Sequence, residues 1–227
     1  MMREIYYWWW LKEQLLEFQR NFILSITPAT KEEFSLLHAK LRLERLLAMS
    51  PVKLDIGCGL HPMGHDPSQR EDINSWIHCD WNDGSHIELV CNFAEIPLEP
   101  GIVDRIHIGD VIEHVQLFDY DKVFGHWNAI AKIGCRLTGA TPNGPRIMRD
   151  FVAGRKSFRQ AVQPHLYGWQ DRPGEQHFTI FSEETLIETL NKYGFEKVDF
   201  SGSPIFPPVE DGYGWLVFSA EKVRNLT

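Results

Sequence analysis

A chain of 227 residues, 43% hydrophobic and 24% charged, carries enough apolar material for one substantial core and reads as a single globular domain with some decoration. Its net charge of −8 leaves no general excess of Lys and Arg for a nucleic-acid footprint, so nucleic acid is not an expected partner. No stretch approaches the roughly 18 uninterrupted apolar residues of a membrane span, and Lys12, Glu13 and Glu17 interrupt the N-terminal apolar stretch before it resembles a signal peptide, so a cytoplasmic location is expected.

In chain order, residues 3–24 carry Ile5, Trp8, Trp9, Leu11, Leu15, Leu16, Phe18, Phe22 and Ile23 at helical spacing, and Pro28 follows. The run Tyr6-Tyr7-Trp8-Trp9-Trp10 cannot turn every ring to one core. It reads as a helix wedged between the core and a partner surface, an aromatic wall for a flat substrate, or a homodimer contact. A second helix is expected from Thr30, with Glu33 at capping-box spacing, Phe34, Leu37, Leu41 and Leu46 or Leu47 as its stripe, and Pro51 closing it. Residues 1–50 thus precede the first strand as a helical extension or lid.

The run Val52-Lys53-Leu54-Asp55-Ile56 reads as a buried parallel strand, and Gly57-Cys58-Gly59 as the tight loop after it, where glycines let a ligand approach the backbone amides closely. Further strands are expected over 76–79, ending at Asp80; over 87–91, ending at Asn92; and over 103–108, ending near Asp110. Residues 120–133 carry an amphipathic helical pattern, and 135–140 read as another strand broken by Thr141-Pro142-Asn143-Gly144. Residues 145–175 read as polar and irregular. Ser182 is an N-cap for a helix with Leu186, Ile187 and Leu190 as its apolar face and Gly194 as its stop. Strands over 195–200 and 214–220 close the chain without a helix between them, so they are expected to form an antiparallel pair at one edge.

The four cysteines, Cys58, Cys79, Cys91 and Cys135, lack paired CxxC spacing and read as reduced, buried thiols. Cys58, His61 and His65 offer ligand types, but Pro62 and Gly64 break any helix that would align the histidines, so no metal site is expected. The dense basic run of Arg146, Arg149, Arg155, Lys156 and Arg159 reads first as a solvated helix face.

Asp55, Asp80, Asn92 and Asp110 fall at the ends of four successive strand candidates. In a parallel sheet those ends line one crevice. A carboxylate at Asp80 suits two ribose hydroxyls, an amide oxygen at Asn92 suits an adenine amino group, and Phe93 or Trp81 suits a purine face.

With these residues the chain resembles the class I S-adenosylmethionine-dependent methyltransferases, in particular the bacterial small-molecule type. The matched stretches are LDIGCG (54–59), IHCDW (77–81), CNFAEIPLEPGIVDRIHIGDVIEHV (91–115), RLTGATPN (136–143) and HFTIFSEETLIETLNKYGF (177–195). The resemblance implies an α/β fold: a Rossmann-like, doubly wound, mostly parallel seven-stranded sheet with an antiparallel edge strand and an N-terminal helical extension. Residues 51–227 would form the methyltransferase domain, with an acceptor-side insert at about 144–176. It implies S-adenosylmethionine as cofactor, held at the methionine part by Asp55, Gly57, Cys58 and Gly59, at the ribose by Asp80, and at the adenine by Asn92 with Trp81 or Phe93. Asp110 would lie near the methionine amino group or the methyl path. The chain departs from the pattern at His61 and Pro62, where a third loop glycine is common, and at Asn92, where Asp is usual.

The resemblance also implies methyl transfer to a small-molecule acceptor, for which the protein supplies mainly alignment. His114 is the first candidate general base and His177 the second, each also open to a purely structural hydrogen bond. The Arg content of the insert, at Arg146 and Arg149, suits an anionic acceptor. Two other readings stand beside this one: a non-catalytic module that keeps the cofactor fold, and a nicotinamide-dependent oxidoreductase, which the missing GxGxxG pattern disfavours.

Overall fold

The structure is a computed structural model that describes residues 31–59, 73–84, 86–170, 174–200 and 214–226. The aromatic run 6–10, the helix expected over 3–24, the cap at Thr30 and the segment with His61, Pro62 and His65 lie outside the described residues. The chain divides into two units, Met1–His38 and Ala39–Thr227. Helix α1 (Lys31–Leu47) runs through the boundary, and within the second unit Leu46 is buried in the core with Leu43 and Leu47 packed against it.

Seven strands form one sheet: β1 (Lys53–Ile56), β2 (Ile77–Asp80), β3 (Leu89–Val90), β4 (Val103–Gly109), β5 (Ala131–Pro142), β6 (Phe195–Asp199) and β7 (Trp215–Lys222), in the order β3-β2-β1-β4-β5-β7-β6. The first five are parallel, and β7 runs antiparallel to both β5 and β6. The closing pair therefore lies at one edge, with β7 as its reversed member and β6 outermost. Strand order reverses between β1 and β4, which opens a crevice at the carboxyl ends of those two strands.

The alternation of β1 explains its burial. Leu54 and Ile56 join a core with Ile77, Cys79, Ile106, Ile108 and Leu137. Asp55 occupies the other register position, level with His78 on β2 and His107 on β4. His107 is level with Thr138 on β5, and Thr138 with Ser219 on β7. All five are buried. They cross the sheet as a polar row, satisfied in part by His78 Nδ1 donating to Asp55 Oδ2 at 3.0 Å and by a 3.0 Å bond between His107 Nδ1 and Thr138 Oγ1.

Helix α2 (Tyr120–Ile130) delivers Phe124 and Trp127 to the core, where Phe124 stacks on Tyr193 with centroids 5.0 Å apart. Trp127 Nε1 donates to Phe93 O at 2.9 Å and fixes the loop after β3. The helix was expected to reach residue 133, but β5 starts at Ala131. The short apolar run Ile130-Ala131 suits both periodicities, and pairing of Ala131 with Val103 decides for the strand.

The segment read as irregular from residue 145 contains helix α3 (Gly144–Val152), a π-turn over Phe158–Val162 and helix α4 (Gln163–Tyr167). Asn143 Oδ1 accepts from Arg146 N at 3.0 Å, and Pro145 sits in the first turn. That is a helix start, because Pro lacks only an amide that has no partner there and its φ is already helical. Helix α5 (Glu183–Lys192) begins as expected at Ser182, whose Oγ accepts from Thr185 N at 3.2 Å while Thr185 Oγ1 accepts from Ser182 N at 2.9 Å. The positive φ of 79° at Gly194 then lets the chain leave the helix.

Candidate active site

The loop after β1 is built by close contact. Gly57 has φ 68°, its amide donates to Cys79 O at 2.8 Å, and a Cβ there would lie 2.4 Å from Val111 Cγ2 and 3.5 Å from Phe93 Cζ. Only glycine accommodates both that torsion and that neighbour. Gly59 has φ 56°, and no atom of the described residues lies within 4 Å of a Cβ placed there. Its amide donates to Asp80 Oδ2 at 2.9 Å and its carbonyl accepts from His86 Nε2 at 2.8 Å. Cys58 between them is buried. Burial, then the charges of Asp55 and Asp80, push its thiol pKa up, so it is a protonated packing group at neutral pH.

Asp80 closes β2 at the loop. Besides Gly59 N, its carboxylate accepts from Asn82 N at 2.8 Å and Asn82 Nδ2 at 3.2 Å. Trp81 is 52% exposed, and its ring lies against the backbone of Gly174, where a Cβ would be 2.0 Å away. Asn92 is exposed and its Oδ1 accepts from Ala94 N at 2.9 Å, so that oxygen caps its own turn. Asp55 is buried, with its carboxylate bonded to His78 in the polar row and within 4.8 Å of the Cys58 thiol in the loop.

The turn after β4 forms the other half. Asp110, exposed, adopts φ 59°, a left-handed conformation that costs a non-glycine residue about 1 kcal/mol, while its amide donates to Ala140 O at 3.0 Å. Such outliers concentrate at functional sites. Glu113 is fully buried and accepts from Thr141 Oγ1 at 3.1 Å. Its backbone carbonyl accepts from Phe178 N at 2.8 Å and Thr179 N at 3.2 Å. Burial, reinforced by the charge of Asp110, raises its carboxyl pKa well above the ordinary range.

His114 Nδ1 donates to Gln176 O at 3.0 Å, and His177 Nδ1 to His165 O at 2.8 Å. The two rings meet edge to face with centroids 4.6 Å apart. Burial holds both below the ordinary histidine pKa, so both are neutral at pH 7. With Nδ1 protonated, each ring's other nitrogen carries the lone pair. Val111, from this turn, is the side chain packed against Gly57, which joins the two halves.

The structure thus brings Gly57, Cys58, Gly59, Asp80 and Phe93 around one loop, and Asp110, His114 and His177 around the neighbouring turn. The roles of Val111, His86, Asn82, Glu113 and Thr141 are not marked in the sequence by local pattern. Only Glu113 carried a signal, as the acid directly before His114.

No protein-family model matches this chain, and no curated protein matches it. Solved structures do. A 1,6-didemethyltoxoflavin-N1-methyltransferase from Burkholderia thailandensis, with 1,6-didemethyltoxoflavin and S-adenosylhomocysteine bound, matches over 94% of this chain and 90% of its own at 17% identity and a TM-score of 0.50. A SAM-dependent methyltransferase from Archaeoglobus fulgidus matches over 82% of this chain and 94% of its own at 16% identity and a TM-score of 0.50. The chain resembles the class I S-adenosylmethionine-dependent methyltransferases, and at these identities the likeness is one of fold.

Proposed function

We propose that this protein transfers a methyl group from S-adenosylmethionine to a small-molecule acceptor at the carboxyl edge of β1 and β4. The observation that carries this reading is the Gly57–Gly59 loop, pinned by Val111 at Gly57, uncrowded by any described residue at Gly59, and hydrogen-bonded to the carboxylate that ends β2. Such a loop suits the amino-acid part of the cofactor, with the glycine backbone as the surface approached. Asp80 would take the ribose in exchange for the Asn82 side-chain amide, which is the longest of its contacts. Phe93, at the loop, and the half-exposed Trp81 offer apolar surface for the adenine, with Asn92 at the rim. Asp110 suits a cationic amino group. Asp55 supports this arrangement from within the sheet.

The cofactor when bound supplies an electrophilic methyl on a sulfonium, and the chain's own task is to orient an acceptor and manage its proton. His114 and His177 are the groups that meet the acceptor, being neutral and fixed by backbone carbonyls. Arg146 and Arg149, on α3, suit an anionic acceptor. Asp150, which pairs with Arg155 at 2.6 Å and lies 4.0 Å from Arg146, leaves Arg149 as the less compensated of the two.

Thermal denaturation with S-adenosylhomocysteine and, separately, NADH tests the cofactor. Stabilisation by the first alone is expected. Stabilisation by NADH alone would favour an oxidoreductase, and by neither, a non-catalytic module. The last reading draws on one observation, that Asp80 is already engaged by the chain's own amides.

A further inference from the structure

The turn after β4 holds, beside Asp110, three side chains that the proposed cofactor contacts do not use. Glu113 is fully buried, its Oε1 has no hydrogen-bond donor among the described residues, and its carboxyl stands against that of Asp110, with which it can share a proton. Burying a carboxyl group beside another acid is unfavourable unless a proton or a cation stands between them. His114 and His177 stand beside Glu113, and one ligand atom from each of the three side chains lies within 4.8 Å of the others. An ion about 2.1 Å from each donor spans donor pairs up to about 4.2 Å apart, so small side-chain rotations close the site.

The rings are also prepared as ligands. Each donates its Nδ1 proton to a backbone carbonyl, Gln176 O for His114 and His165 O for His177. That outer hydrogen bond fixes the tautomer and ring plane of metal-binding imidazoles. Among the described residues, the other grouping of ligand types is Asp55, Cys58 and His78. There Asp55 and His78 already bond each other and the thiol is held protonated, so it is the poorer site.

We propose that Glu113, His114 and His177 form a site for one divalent transition-metal ion on the acceptor side of the crevice. Two imidazoles and a carboxylate suit Mn, Fe, Co or Zn better than Mg or Ca, which favour oxygen donors throughout. Three protein donors leave coordination positions open, so the matching acceptor is one that brings an oxygen to the ion, such as a phenol or a vicinal diol. A hydroxyl bound there releases its proton to solvent more readily because the cation stabilises the oxyanion. The oxyanion forms the new O–CH3 bond as the S–CH3 bond breaks, and the bonding pair returns to sulfur as a neutral thioether. The histidines then act as ligands and not as bases. The acceptor half of this inference rests on the methyl-transfer reading; the ion half does not.

The test uses the full chain without a polyhistidine tag, stripped with a chelator and titrated with Co2+ by calorimetry and visible absorption. One Co2+ per chain is expected, with ligand-field bands and a raised Tm. Affinity is expected to fall about tenfold or more in His177→Ala and in Glu113→Gln. His177→Ala keeps the test decisive if Glu113→Gln, being buried, fails to fold. S-Adenosylhomocysteine binding is measured in parallel. If Co2+, Mn2+ and Zn2+ each bind the wild type no more tightly than His177→Ala, the metal site is overturned, and retained S-adenosylhomocysteine binding would leave the methyl-transfer reading standing. Stoichiometric Co2+ with no S-adenosylhomocysteine binding would keep the ion and remove the acceptor chemistry.

Discussion

Two independent constraints meet at Gly57. The backbone is left-handed, at φ 68°, and Val111 Cγ2 occupies the space a Cβ would take, at 2.4 Å. A Gly57→Ala change therefore combines torsional strain with overpacking and is expected to destabilise the protein by about 2–4 kcal/mol. Adding Val111→Ala removes the clash but not the torsion, so the double variant recovers part of the loss in urea denaturation. Full recovery, or no loss in the single variant, contradicts the packing described. The sequence made Gly57 conspicuous by its spacing from Gly59. It gave no hint of Val111, because the contact arises only when β4 pairs beside β1. His86 on Gly59 O and Gln176 O on His114, 62 residues away, were hidden for the same reason: each is a tertiary contact without local periodicity.

The elements were more legible than the contacts. The strands of the parallel half declared themselves by short apolar runs ending in Asp80, Asn92 and Asp110, since burial on both faces demands such runs. The sequence is ambiguous where two rules compete. Ala131 satisfied helix and strand periodicity alike, and Asn143-Gly144-Pro145 served as a turn signal and a helix cap at once. The polar row across the sheet was legible only as isolated residues, not as a register. His107, within it, is fully buried and its pKa is lowered, chiefly by desolvation. The unfolded chain therefore takes up a proton at a pH where the folded one does not. The contribution of this neutral histidine is present above the unfolded value of about 6.5 and is lost as pH falls through the folded pKa. Stability from urea melts at pH 7.5 and pH 5.5 is expected to fall on acidification, and to fall less in His107→Gln. An equal fall in the variant would show that His107 does not contribute.

At the scale of the second unit, the topology puts the candidate site where the strand order reverses, and the later chain returns to it. Phe178 and Thr179 hydrogen-bond to Glu113 O, and Gly174 lies on Trp81, so the segment after α4 contacts both halves of the crevice. The proposed cofactor side and acceptor side are thereby linked by one connection. Methyl transfer here requires that the β1 loop and Asp80 together bind the cofactor. Calorimetric titration of S-adenosylhomocysteine into the wild type and Asp80→Asn tests it most directly. One site per chain is expected, weakened about tenfold or more in the variant, since a hydrogen bond to a charged group contributes about 1.5–3 kcal/mol. Absence of binding to the wild type at millimolar ligand, or equal affinity in Asp80→Asn, would contradict it.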